Sequence, residues 1–278
     1  MKKILLLLSL LAFAAFPAFA QEPEAEEESV YVSPFPGLDS LLTQFYEVLE
    51  RVSTEEKNSE LDHLIVMVSD SLARQHVTMN ILDHYMFSRV MGEESVAVHV
   101  YDTWIASGLV KPRGEFESMQ AEIFARFNRH SLLGMKATPV DLYKSNGRTA
   151  TVPEEGRISI MFFYDTNCAK CRLESKVLPL TLAKIDFPAD FNAVYVGSDK
   201  RSWKEFRKTF KVKNSKVRVR HFWDPDIDSD YAVMYAVTGT PRLYVIWSDL
   251  EIIGRRLEVT NLEEIIQYIS LTYGKKED

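Results

Sequence analysis

The chain has 278 residues, with 33 Lys and Arg against 40 Asp and Glu, and a formal net charge of −7. An acidic chain with only two cysteines is neither a disulfide-stapled scaffold nor a protein whose overall field would attract nucleic acid. Its length suits two structural units better than one.

Met1 to Ala20 combines Lys2 and Lys3 with an apolar run from Ile4 to Phe16 and the small-x-small sequence Ala18-Phe19-Ala20. This pattern predicts a secretory signal peptide. Its loss removes two lysines and moves the formal charge from −7 to −9. No cysteine stands near the cleavage point to take a lipid, and no later run is long and apolar enough to span a bilayer. The expectation is a soluble, periplasmic protein, with an uncleaved N-terminal anchor as the alternative.

Residues 21–37 begin with five glutamates, Glu22, Glu24, Glu26, Glu27 and Glu28, and then turn rich in Ser and Pro, as a flexible acidic leader does. Residues 38–132 predict a helical domain. Apolar residues recur at helical intervals in Leu41, Leu42, Phe45, Leu49 and Val52, then in Leu61, Leu64, Ile65 and Val68, then in Val77, Ile81, Tyr85 and Met86. After a break at Gly92 a fourth segment carries Val96, Val100, Trp104 and Ile105, and a fifth helix is expected from Glu115 to Asn128. No catalytic constellation is visible in this half.

Residues 133–278 read as alternating strands and helices. Asn146-Gly147 marks a hairpin turn, after which Thr149 to Val152 pairs back. Ile158 to Tyr164 is an almost uninterrupted apolar run, suited to a strand buried on both faces. A polar turn, Asp165 to Asn167, leads into Cys168-Ala-Lys-Cys171, followed by Leu173, Val177 and Leu180 at helical spacing. Further on, the sequence predicts a helix towards Lys184 with Pro179 inside it, a strand from Asn192 to Gly197, and a helix presenting Trp203, Phe206 and Phe210 on one face. A turn at Asp224-Pro225-Asp226 should open a helix that continues through Tyr231 to Tyr235. A strand from Leu243 to Trp247 and a hairpin return through Ile252 and Ile253 follow. Thr260 to Glu263 reads as the capping box of a last helix, Leu262 to Leu271, with nothing ordered past Tyr273. Between Lys200 and Arg220 lie ten basic residues and one acid; such a stretch either steers an anionic partner or faces solvent.

The two cysteines are the chemical signal. A two-residue spacing closes almost no loop, so a purely structural bridge there contributes little. A zinc site would need two more ligands, and the six histidines (His63, His76, His84, His99, His130, His221) include no pair at ligand spacing. At a helix start, unpaired amides and the helix dipole favour a thiolate on Cys168, while Cys171 lies one turn on, able to attack a mixed disulfide formed by Cys168. Lys170 brings a positive charge near the thiolate or points into solvent. No cofactor beyond the Cys168–Cys171 pair, and no metal, is expected.

Ile158 to Tyr164, Cys168, Cys171, Glu174 and Thr240-Pro241 together resemble the thioredoxin fold and, within it, the TlpA/ResA-like periplasmic thiol–disulfide oxidoreductases. The resemblance runs from about Leu133 to the C-terminus and implies an α/β thioredoxin fold, a central mixed sheet flanked by helices, preceded here by a smaller all-α domain. Exported thioredoxin-like proteins of Bacteroidetes have a similar two-part architecture. The segment Leu133 to Leu142 is similar to the lead-in strand of such domains. The resemblance further implies that Glu174 tunes the cysteines and accepts the proton of Cys171, that Pro241 is a cis-proline facing Cys168, and that the Thr240 backbone pairs with an extended substrate. Asn167, Lys170, Tyr164 and Trp223 are the other candidates for the substrate groove. The chain departs from the family pattern at Asn167, where Trp is usual, and at Lys176, where Pro is common.

The expected activity is disulfide exchange with exported proteins in the reductive direction, recycled by a membrane electron donor or acceptor. The alternatives are an oxidase or isomerase, or a non-catalytic scaffold acting through its helical domain. No nucleic-acid partner is expected.

Overall fold

A computed structural model describes residues 33–276, so the expected signal peptide and most of the segment read as an acidic leader lie outside the described residues. Helix α1 (Pro36–Leu49) opens inside the segment assigned to the leader, because Pro36 at the first helical position brings a pre-set φ and lacks only an amide that would be unpaired there anyway. Helix α2 (Thr54–Met67) starts with a capping box in which the Ser53 hydroxyl accepts the Glu56 N–H and the Glu56 carboxylate accepts the Ser53 N–H. Helix α3 (Ser71–Met86), capped by Asp70, runs through the centre of the helical region and buries residues on most of its circumference. Helix α4 (Glu94–Val100) continues into one π-helical turn, Tyr101–Ile105, and helix α5 (Glu115–Asn128) closes the group. The predicted apolar stripes do converge here, with Leu61, Ile65, Val77, Ile81, Tyr85, Val96 and Val100 in one cluster. A buried ion pair, Lys57 with Glu93, ties α2 to the lead-in of α4.

The second half is a seven-stranded sheet in the order β2-β1-β5-β4-β3-β6-β7. Strands β1 (Val140–Tyr143) and β2 (Thr149–Val152) form the predicted hairpin across Gly147, whose φ of +78° suits glycine. The central strand β3 (Ile158–Tyr164) is buried at every position. It runs parallel to β4 (Ala189–Tyr195) and antiparallel to β6 (Arg242–Ile246), which in turn pairs with β7 (Ile252–Gly254). Alternate residues of β3 serve opposite faces. Ile160, Phe162 and Tyr164 join a core under α6 (Ala169–Leu182) and α9 (Val259–Lys276), while Met161 and Phe163 meet Tyr231, Tyr235 and Tyr244 on the other side.

The structure corrects several expectations. The strand expected at Asn192 to Gly197 starts three residues earlier and ends two earlier, at β4. Strand β5 (Val217–Trp223), parallel to β4, falls in the segment read only as a basic stretch. Its arginines have a structural task, since Arg218, Arg220 and Arg157 surround Asp190, a fully buried carboxylate on β4. Helix α7 (Lys200–Thr209) buries Trp203, as predicted. Asp224 does not open a helix. Its carboxylate accepts the Ser229 and Asp228 amides of a loop, and helix α8 covers only Tyr231–Met234. Helix α9 begins at Val259 and reaches Lys276. The Glu258 carbonyl already accepts the Asn261 and Leu262 amides, so Thr260 sits within the first turn instead of capping it.

From Phe35 onward the chain is one compact unit. The helical region meets the β6–β7 side of the sheet through Arg255, whose Nη2 donates to Asn128 Oδ1 at 2.8 Å, and Arg256, whose Nη1 donates to Glu94 Oε1 at 2.9 Å.

Candidate active site

The apolar strand β3 ends at Tyr164, and the chain must turn sharply to enter α6. Asp165 builds that turn, its carbonyl accepting the Cys168 N–H at 3.2 Å and its side chain accepting the Asn167 N–H at 2.9 Å. Arg172 braces it from the helix, donating to the Thr166 and Asn167 carbonyls at 3.2 and 3.0 Å. Cys168 is the N-cap of α6, and its sulfur accepts the Cys171 N–H at 3.0 Å, taking the place of a capping oxygen. The same sulfur lies 3.4 Å from the Thr240 carbonyl. Thr240–Pro241 is a cis peptide leading into β6, so the fold brings together Cys168 and a loop 72 residues away.

The two thiols occupy opposed environments. Cys168 is half-buried. Partial burial alone would raise its pKa, but hydrogen bonds from Cys171, from the Thr240 side chain and from the Lys170 backbone N–H outweigh that and hold it below the ordinary thiol value. Cys171 is 1% exposed, and burial, followed by its bond with Cys168, pushes its thiol up to about 12. Reactivity is therefore concentrated on the outer sulfur.

Lys170 acts differently from the simple expectation. Its ammonium does not serve the thiolate but binds Glu258 Oε1 at 2.6 Å and lies 3.9 Å from Glu174 Oε1; its contribution to Cys168 is the backbone N–H. Glu174 lies on the buried face of α6 with Cys171, its Oε2 without a hydrogen-bond partner, and burial raises its pKa, offset in part by Lys170. Leu173, Val177 and Leu180 have helical spacing but point outward, 66%, 49% and 69% exposed; the core face of α6 is Cys171, Glu174, Leu178, Thr181 and Leu182.

Of the remaining groove candidates, Asn167 is exposed beside Cys168. Tyr164 is buried, and its ring borders a cavity of about 610 Å³ between α6 and α7 that reaches Cys171 and is lined by Phe206, Phe210 and Pro179. Trp223 does not line the site. It packs against Trp203 and Tyr195 with its indole N–H on the Gly197 carbonyl. Three residues beside the site carried no sequence signal: Arg242, next to the cis-proline, Glu258, the partner of Lys170, and Arg172. Each is recognisable only by what it touches. Among the described residues no cluster of His, Cys, Asp and Glu could hold a metal.

A dithiol at the start of the helix that follows the central strand, facing a cis-proline loop on the neighbouring antiparallel strand, defines a thioredoxin-fold protein. Residues 156–252 match the family model described as thioredoxin-like, in keeping with the resemblance to TlpA/ResA-like proteins. A crystal structure of a thioredoxin-like protein from Bacteroides caccae superposes with a TM-score of 0.63 at 13% identity, covering 87% of each chain. That span is longer than the sheet-bearing half, so the shared fold includes the helical region. A domain of a possible thiol-disulfide isomerase from Cytophaga hutchinsonii is 22% identical over 52% of this chain and 97% of its own, with a TM-score of 0.44. The thioredoxin domain of a thiol-disulfide oxidoreductase from Bacteroides vulgatus is 18% identical over 49% of this chain and 96% of its own, with a TM-score of 0.43. No curated protein matches the chain.

Proposed function

We propose that this protein is a thiol–disulfide oxidoreductase that reduces disulfides of other exported proteins, with Cys168 as nucleophile and Cys171 as resolving thiol. The observation that carries the proposal is the Cys168 sulfur itself, a helix N-cap accepting the Cys171 N–H and standing against the Thr240 carbonyl of the cis-proline loop. The Cys168 thiolate attacks one sulfur of a substrate disulfide. The substrate S–S bond breaks, a Cys168–substrate bond forms, and the departing substrate thiolate takes a proton. Cys171 then loses its proton, attacks the Cys168 sulfur, and releases the second substrate thiol, leaving the Cys168–Cys171 disulfide and two electrons on the substrate.

A thiol held near 12 needs a base for that second step. Glu174, on the same buried face one turn on, is the group we assign to it, its raised pKa making it a better proton acceptor than an exposed carboxylate. Thr240 and Pro241 would bind the extended substrate chain by strand addition, with Asn167 and Lys170 at the rim. The Cys168–Cys171 disulfide so formed is returned to the dithiol by a membrane electron donor. The working place is the periplasm. No helix among the described residues is long and apolar enough to cross a membrane.

The test is a Cys171→Ser variant presented with oxidised exported proteins. Mixed disulfides through Cys168 should accumulate, and a glutathione or dithiothreitol titration of the unaltered pair should give a potential near or below about −250 mV, against about −120 mV for an oxidant. A pair that cannot be cycled and a variant that traps nothing would overturn the enzymatic reading and leave a scaffold role for the helices.

A further inference from the structure

A second cavity, of about 840 Å³, opens on the other side of the cis-proline, between the end of α3, the Arg255-Arg256 turn and the start of α9. Pro241, Arg242 and Lys170 form its edge towards the dithiol. Its lining carries two more cations than carboxylates, Arg89 and Glu264 included. Lys170 is paired with Glu258 at 2.6 Å. Arg255 and Arg256 share one buried carboxylate, Glu94, at 3.8 and 2.9 Å. Arg242 has only the Ala236 carbonyl at 3.3 Å and the Thr238 hydroxyl at 3.5 Å, and no carboxylate within ion-pair distance among the described residues.

The sharpest feature is Arg255. Its side chain is fully buried, and although Nη2 donates to Asn128, neither Nε nor Nη1 has a hydrogen-bond partner. A buried guanidinium with two idle donors is costly, and because Nε and Nη1 lie on different edges of the fork, a carboxylate reaching either one relieves it. One glutamate between two arginines, with a third unpaired, leaves room for such an anion. The position limits what brings it: Arg242 follows the cis-proline whose neighbouring Thr240 carbonyl stands 3.4 Å from the Cys168 sulfur.

We infer that this cavity is a carboxylate-binding subsite, in which Arg242, Arg255 and Arg256 take an acidic side chain of a polypeptide substrate flanking the cysteine that Cys168 attacks. The inference rests on the oxidoreductase reading. The subsite selects among disulfides instead of performing the exchange. It also gives the helical region a role, since Glu94 and Asn128, which hold Arg255 and Arg256 in place, belong to α4 and α5.

The experiment compares reduction of three synthetic peptides by the full protein. They share one disulfide and differ at the positions beside one cysteine, which carry Glu, Ser or Lys. The Glu peptide should exceed the Ser peptide about tenfold in kcat/KM, the size of one charge-assisted hydrogen-bonded pair, and the Lys peptide should fall below both. Added salt should narrow the spread. Arg242→Gln and Arg256→Gln should bring the Glu-to-Ser ratio towards one, a ratio that cancels any change in thiol reactivity, and Arg242→Lys should restore it only in part. Equal rates for the Glu and Ser peptides in the unaltered protein would overturn the subsite and leave the oxidoreductase reading standing. Failure to reduce even the Ser peptide would sink that reading itself. Oxidised glutathione, a small disulfide with carboxylates but no peptide segment, should be a poorer substrate than the Glu peptide; turnover as efficient as the peptide's would overturn the assignment to a polypeptide.

Discussion

Alkylation of the reduced protein by a limiting amount of iodoacetamide at neutral pH should modify Cys168 and spare Cys171. Cys168 lies below the ordinary thiol value of 9.0 and Cys171 near 12, a gap of at least about 3 units. The thiolate populations at neutral pH then differ by at least about a thousandfold. Intrinsic nucleophilicity falls with pKa with a slope of about 0.5, which cancels half of that difference on a logarithmic scale, so the net selectivity is at least about thirtyfold. Burial of Cys171 adds to it. Peptide mass spectrometry after brief labelling reads the ratio, and the same labelling in strong denaturant should return it to about one, since both causes vanish with the fold. The pH dependence has a defined sign. Cys168 is the group with a depressed pKa, so its labelling should be level above that pKa and fall as pH drops through it. Its contribution to the stability of the reduced protein is likewise present at high pH and lost on acidification. Equal labelling of the two cysteines in the folded protein, or Cys171 reacting first, would refute this account of the site.

Glu174→Gln should slow release of substrate from the mixed disulfide and remove its rise with pH, measured by stopped-flow; an unchanged profile would take Glu174 out of the mechanism. Because burial raises the Glu174 pKa, its carboxylate destabilises the fold at pH values above that pKa, so the same variant should unfold at higher urea concentration at neutral pH. Asp190→Asn, which leaves Arg157, Arg218 and Arg220 around a lost charge, should cost about 3 to 5 kcal/mol in equilibrium urea unfolding. His221, half-buried with the Phe206 and Phe210 rings edge-on to it, has its pKa lowered to about 4 by desolvation and then by Arg207 and Lys211. The unfolded chain therefore takes up a proton between about pH 6.5 and 4 that the folded protein refuses. Stability should be complete above that window and fall by about 3 kcal/mol across it, and His221→Phe should flatten that part of the acid-unfolding curve.

The features legible in the sequence are those with a local period or a short spacing. The first four helical segments follow from apolar residues three and four apart, β3 from an almost uninterrupted apolar run, and the dithiol from two cysteines one turn apart. Pro241 was legible because a Thr-Pro before a strand lies at a recognisable distance from those cysteines. Local period, however, does not say which stripe faces inward. Leu173, Val177 and Leu180 mark α6 as a helix, yet the sheet buries the opposite face, including Glu174. It also fails where charge replaces apolar burial. Val217–Trp223 reads as part of a basic stretch because Arg218 and Arg220 hide a strand whose partner, Asp190, is 28 and 30 residues away.

Charge pairing across the fold was decided by the tertiary structure alone. Lys170 turns from the thiolate to Glu258, 88 residues on, and Arg255 and Arg256 meet Glu94 from more than 160 residues away. Hydrophobic periodicity is set by the geometry of each helix or strand and is written in neighbouring residues. The partner of a buried charge is set by which elements the closed chain places side by side, and no local pattern records it.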